Sequence, residues 1–191
     1  KMILPIRAFG DSVLRKKAHD IDPDYPELKT LIENMFDTMD GANGIGLAAP
    51  QIGLDIRVFT IDVSPLADDE DYEDIADELK DFKKVFINAK ILEESGEEWK
   101  FNEGCLSIPE VREDVKRKST IKIEYYDENF VKHTDTFQDI RARVIQHEYD
   151  HIEGILFTDH LSALKKKIVK GKLQKIANGE VSVNYKMRFP K

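Results

Sequence analysis

A chain with one cysteine cannot form an intrachain disulfide; Cys105 stands alone in 191 residues and fits a reducing compartment. Long apolar runs are missing too. No stretch approaches the ~18 consecutive apolar residues of a membrane-spanning helix, and Lys1–Arg7 lacks an apolar signal core with a small-residue cleavage site. A secreted or membrane-bound protein is therefore not expected. Lys1 precedes Met2, which we read as the natural start. Ten glycines and seven prolines are too few for a collagen-like or low-complexity chain. With 41% apolar and 35% charged residues, one globular domain over residues 1–191 is expected.

Basic charge is also in short supply. Against 37 Asp and Glu stand 29 Lys and Arg, a net charge of -8, and the excess is local. Nine acids between Asp68 and Asp81 face only Lys80, whereas the rest of the chain has 28 acids and 28 bases. That leaves no broad basic field for nucleic acid, so no specific nucleic-acid partner is expected. The acidic stretch reads as a surface insertion over about residues 62–84. The spacing of Ile75, Leu79 and Phe82 allows a short helix there, and the charge density equally allows a mobile loop.

The remaining pattern mixes helices and strands. Leu28, Leu31, Ile32, Met35, Phe36 and Met39 repeat with helical period, predicting an amphipathic helix from Pro26 to Met39 that stops near Gly41. A small-residue segment, Gly41 to Gln51, precedes a strand over Ile56–Ile61. Short strands are expected at 85–88, 97–101, 115–117, 120–126 and 130–137, the last two forming a hairpin through Asp127-Glu128-Asn129. A second helix should run from Asp139 to Glu153, with Gly154 as its stop, and a lysine-rich third from Ser162 to Ala177. Alternation from Val181 to Phe189 predicts a half-buried terminal strand.

The second helix carries His147-Glu148-Tyr149-Asp150-His151. Residues four apart share a helix face, so His147 and His151 can present two imidazoles to one metal ion, with Glu148 beside them to handle a water proton. A catalytic site needs a third ligand. Phe157 occupies the position where an extended motif would place a third histidine, and the next glutamate after Glu153 is Glu180. Cys105, in Glu103-Gly104-Cys105-Leu106-Ser107, remains as a thiolate donor, although a lone cysteine is also an ordinary small core residue. Gly44-Ile45-Gly46-Leu47-Ala48-Ala49 formally matches a dinucleotide fingerprint, but a helix precedes it and Pro50 and a strand follow, the reverse of what that fingerprint needs. A backbone cradle beside a substrate suits it better, with the Gln51 amide available to an oxyanion.

Together, Gly44–Gln51 (GIGLAAPQ), Glu103–Ser107 (EGCLS) and Gln146–His151 (QHEYDH) resemble the three signatures of the peptide deformylase family, complete and in order. The likeness extends to Ile3-Leu4-Pro5-Ile6, Leu14-Arg15, Ile108-Pro109-Glu110 and Arg112, and so covers most of the chain outside the acidic insertion. The resemblance implies a metal-dependent hydrolase that removes the N-formyl group from the N-terminal formylmethionine of new proteins, releasing formate. It assigns Cys105, His147 and His151 to one divalent metal, ferrous iron in the cell, with zinc, nickel or cobalt in purified protein. It makes Glu148 the proton-transfer group for the attacking water, and Gln51 and the Leu106 backbone N–H the oxyanion donors. Ile45 and Val144 would form the methionine pocket, Gly44 and Gly46 would border the peptide backbone, and Arg112 would hold the substrate's distal end. Glu103 and Asp150 would orient neighbouring groups. Implied partners are N-formylmethionyl peptides and nascent chains, with a transient ribosome contact as one role for the six lysines from Lys165 to Lys175 and a solvated helix face as the other. The implied location is cytoplasmic. The fold expected is α+β, with antiparallel β-sheets packed around a central metal-bearing α-helix and a C-terminal strand. A metallopeptidase cutting ordinary amide bonds would need the same metal, glutamate and oxyanion groups. A metal-binding protein without activity is the alternative from another class.

Overall fold

The computed structural model describes residues 2–191, and Lys1, read above as preceding the natural start, lies outside them. In chain order the elements are β1 (Ile6–Arg7), α1 (Leu28–Gly41), β2 (Gly46–Ala48), β3 (Val58–Asp62), α2 (Ala76–Leu79), β4 (Lys83–Cys105), β5 (Ile108–Tyr126), β6 (Lys132–Gln138), α3 (Asp139–Ile152), α4 (Ala163–Ala177) and β7 (Met187–Arg188). Strands β2-β3-β4-β5-β6 form an antiparallel sheet in that order, and β1 pairs in parallel with β7.

The fold is α+β, and strand alternation decides which helix covers which face. On β3, Phe59 and Ile61 join one buried cluster with Phe86, Ile121, Ile123 and the α3 residues Ile140, Ile145 and Ile152. Val58 instead joins Leu47, Val85 and Ile87 with Met35 and Met39 of α1. Thus α1 and α3 lie against opposite faces of the sheet, and β3 is buried on both. The Phe59 and Phe86 rings stack with centroids 4.8 Å apart across the register pair Phe59↔Phe86. Helix α3 begins where Asp139 accepts hydrogen bonds from the Arg141 backbone and side chain, and ends before Gly154. That glycine has φ +76°, and a Cβ on it would come within 2.7 Å of the Arg15 carbonyl oxygen. Ser162 caps α4 through the Lys165 N–H.

Three expectations differ from the structure. The short strands at 85–88 and 97–101, and those at 115–117 and 120–126, are parts of two long strands, β4 and β5. Their shared arm is interrupted by register shifts and ladders opposite charges, Glu93↔Lys122 and Glu98↔Lys118, which hide the apolar alternation. The small-residue segment Gly41 to Gln51, to which the sequence assigns no strand, contains an edge strand at Gly46–Ala48. The terminal strand is only Met187–Arg188, because its partner β1 offers two residues. The acidic insertion is mostly helical turns around α2, with Leu79 fully buried and Leu66, Tyr72 and Ile75 against the core; its acids point outward. Among the described residues no helix is long and apolar enough to cross a membrane.

Candidate metal centre

Helix α3 crosses behind β2 and the β4–β5 turn, and its buried face carries an unusual load of polar side chains: Arg143, Gln146, Glu148 and His151. Helical spacing brings His147 and His151 together edge to face, their ring centroids 5.2 Å apart. Cys105, the last residue of β4, meets them. The three donor atoms lie within 4.8 Å of one another, with Cys105 Sγ 3.3 Å from His151 Nε2.

Charged groups behind the cluster fix its orientation. His147 donates from Nδ1 to Glu103 Oε1 at 2.9 Å, which leaves Nε2 for the cluster. Glu103 also accepts two hydrogen bonds from Arg117, at 2.8 and 3.0 Å, and one from Arg143 at 2.8 Å. Burial opposes ionisation of Glu103, but hydrogen bonds from His147 and Arg117 outweigh it and hold this carboxyl well below the usual carboxylate range. Arg117 reaches on to Asp150 at 2.8 Å, where His160 also binds. A carboxylate removed from this chain would leave two buried guanidiniums short of counter-charge.

Glu148 is different. It is 4% exposed, and its Oε1 has no hydrogen-bond partner among the described residues. Burial pushes its pKa up to about 7, which suits a group that must take and give protons near neutrality. Gly46 makes room for it: a Cβ there would fall 2.6 Å from Glu148 Oε2. His151 Nδ1 is likewise buried without a partner, and burial first, then the charge on His147, pushes His151 down to about 3. A neutral imidazole is the ligand form.

Gln51 enters from the other side. Its Oε1 accepts from the Ala48 N–H at 2.9 Å, while Nε2 donates to Ser107 Oγ at 3.1 Å and lies 3.5 Å from Cys105 Sγ. The groups open onto a cleft of about 1040 Å³ whose walls include Ile45, Gly46, Leu106, Arg112 and Val144. Gly44 sits just behind this wall, where a Cβ would meet Leu106 Cδ1 at 2.8 Å. Arg112 is held over Gly104 by two 2.8 Å hydrogen bonds to Asn102. Sequence reasoning did not single out Arg117, Arg143, Ser107 or Tyr185. Arg143 could have been found: it precedes His147 by one helical turn and so shares the face that carries both histidines. Tyr185 donates to the Leu106 carbonyl at 2.7 Å, and burial pushes its phenol up to about 12.

The family model described as Polypeptide deformylase matches residues 3–167. A peptide deformylase of Christiangramia forsetii is 64% identical over 190 residues, 99% of this chain and 97% of that one. One from Flavobacterium johnsoniae is 59% identical over 189 residues, 98% of this chain and 96% of that one. Among solved structures, peptide deformylase from Legionella pneumophila is 36% identical with TM-score 0.78, covering 93% of this chain and 97% of that one. The Thermotoga maritima enzyme is 36% identical with TM-score 0.74, covering 85% and 99%. Motifs, fold and relatives agree, and the chain belongs to the peptide deformylase family, enzymes that use a single metal to remove the formyl group from N-terminal formylmethionine.

Proposed function

We propose that Cys105 Sγ and the Nε2 atoms of His147 and His151 hold the metal, that Glu148 transfers the protons, and that Gln51 and the Leu106 N–H stabilise the oxyanion. One observation carries this reading: three donor atoms converge within 4.8 Å beside a buried carboxylate oxygen that no other described residue satisfies. A thiolate with two imidazoles suits borderline-soft divalent ions, and we assign ferrous iron in the cell, with zinc, nickel or cobalt able to replace it in purified protein. When bound, the ion would polarise the formyl carbonyl and bring the pKa of water toward neutrality.

The rest is done by the chain. Glu148, ionised above about pH 7, takes the proton of the attacking water and gives one to the departing amine. The Gln51 carbonyl is fixed by Ala48, which aims its amide nitrogen at the Cys105–Ser107 turn, where the formyl oxygen gains charge. Removing such a donor typically costs ~2.7 to 4 kcal/mol in the barrier. A formyl carbon carries only hydrogen, so a tight site excludes an acetyl methyl by shape. Ile45 and Val144 form the apolar pocket for methionine, an unbranched and adaptable side chain. The peptide main chain adds to the free edge of β2 at Gly46, with Gly44 bordering it; this mode reads little beyond the first side chain. Arg112 meets the distal end of the substrate. The whole of residues 1–191 acts as one catalytic domain, located in the cytoplasm where formylated chains arise.

The test is anaerobic purification followed by metal analysis and product release from three substrates: a short N-formylmethionyl peptide, its N-acetyl analogue and a peptide cleavable only internally. One ion per chain with turnover of the formyl peptide alone is expected. Internal cleavage, or full metal loading with no turnover, would refute the assignment.

A further inference from the structure

The turn that carries Leu106 is poorly built to stand by itself. Cys105 pairs with Ile108, so Leu106 and Ser107 are the two central residues of a hairpin. Two-residue hairpins favour turns with a left-handed residue, which match strand twist. Neither Leu106 nor Ser107 is left-handed, and the ladder is irregular immediately beyond, between Glu103 and Cys105. Outside contacts hold the turn instead. Gln51 binds Ser107 Oγ, the Phe9 N–H donates to the Ser107 carbonyl at 2.9 Å, and Tyr185 Oη donates to the Leu106 carbonyl at 2.7 Å.

Phe9 and Tyr185 reach the turn from one structure. Phe9 follows β1, Tyr185 precedes β7, and the two strands are clamped by Ile6 N–H to the Lys186 carbonyl and Ala8 N–H to the Arg188 carbonyl, both 3.0 Å. The Tyr185 ring packs beside Leu106 against the α1 cluster, and residues 182–185 form one wall of the cleft. The Leu106 carbonyl is separated from its own N–H by only the two backbone torsions of that residue, so a hydrogen bond on the carbonyl restricts where the N–H points.

We propose that Tyr185 is a positioning residue for the deformylation reaction: its hydroxyl fixes the Leu106 peptide so that the Leu106 N–H is already aimed at the oxyanion. The proposal rests on the oxyanion role given above to Gln51 and Leu106. Preorganised donors matter because they need no reorganisation as charge develops, and an interaction felt only in the transition state lowers kcat and leaves KM alone.

Tyr185→Phe removes one hydroxyl and keeps the packed ring. For the metal-loaded enzyme on an N-formylmethionyl peptide, kcat should fall roughly three- to tenfold, with KM and metal content at wild-type values and Tm lower by no more than about 4 °C, the loss of one part-buried hydrogen bond. An unchanged kcat would overturn the proposal, as would a joint loss of metal, Tm and kcat, which marks a structural role. Gln51→Ala, measured in parallel, separates the two levels. If it lowers kcat while Tyr185→Phe does not, the Tyr185 proposal fails and the oxyanion reading stands. If only Tyr185→Phe lowers kcat, positioning of the Leu106 N–H stands and the Gln51 donor falls; if neither does, both are overturned.

Discussion

Gly46→Ala tests how closely the proposed substrate-binding edge at Gly46 and the proposed proton-transfer group Glu148 are fitted together. Gly46 does not have positive φ, so alanine is allowed by the backbone and any effect is steric. The new Cβ would lie 2.6 Å from Glu148 Oε2, 2.9 Å from Cγ and 3.0 Å from Cδ. Because the contact runs along the side chain, turning the carboxylate cannot relieve it; Glu148 must withdraw by about 0.8 Å to regain ordinary contact at 3.4 Å. Misplacing a catalytic group by ~1 Å costs ~10²-fold in rate, so kcat/KM should fall roughly 30- to 100-fold, or ~2 to 3 kcal/mol in the barrier. Overpacking adds a stability loss of ~1 to 3 kcal/mol. The readouts are formate release and metal content on one preparation. Metal content should hold, since Cys105, His147 and His151 are not among the three nearest atoms to the added methyl. Activity within threefold of wild type at full metal loading would refute the tight fit between Gly46 and Glu148.

Cys105→Ala should lose most bound metal and activity together; retention of both by metal analysis and turnover would remove the thiolate from the ligand set. Glu148→Gln should keep the metal yet hydrolyse the formyl peptide at well under a hundredth of the wild-type rate, and wild-type turnover would defeat the proton-transfer role. The same variant carries a pH signature in metal-stripped protein. Folding raises the Glu148 pKa from 4.5 to about 7, so wild type loses stability as pH rises through that window, whereas glutamine never ionises. Denaturant titration should find the variant more stable by about 3 kcal/mol at pH 8 and no different at pH 4; equal stability at both would contradict the burial argument. Glu103→Gln should weaken metal affinity ~10- to 100-fold in chelator competition by loosening the His147 tautomer. The folded-state pKa of Glu103 is depressed, so its own contribution to stability is present at neutral pH and should fade only as pH falls below about 4. An unchanged affinity would show that Glu103 does not orient His147.

The parts of the site that follow a single period were readable in advance. His147, Glu148 and His151 lie on a helix whose spacing alone puts the imidazoles together, whereas Cys105 reads by itself equally as a small core residue and joins them only through the family resemblance. Of the layer behind them, Glu103 and Asp150 come with the family resemblance, whereas the two arginines they bind do not stand out, Arg143 leaving only its helical spacing from His147 as a signal. Arg143 and Arg117 look like solvent-facing cations in a linear pattern, because buried arginine is rare unless paired, and their shared partner Glu103 stands 14 residues from Arg117 and 40 from Arg143. Gly46–Ala48 has no β-forming residue, and becomes a strand only because β3 lies alongside. The arm of β4 and β5 reads as separate short strands because exposed Glu and Lys ladders interrupt its alternation. Alternation from Val181 onward overstated the last strand, since strand length is set by the partner as much as by the strand.

The pairing of β1 with β7 also sets an order of events. Ile6 faces Met187, so this contact closes a separation of 181 residues and forms only after Met187 has been synthesised. Domains fold as units while the N-terminal part emerges first, and loop closure over such a distance must wait for the tail. Until residues 185–188 arrive, the turn beside Cys105 lacks its Tyr185 tie, and Phe9 is not yet held in place by β7. The turn beside Cys105 is thus tied by a residue 79 positions further along the chain, and gains that tie only once β7 has reached β1.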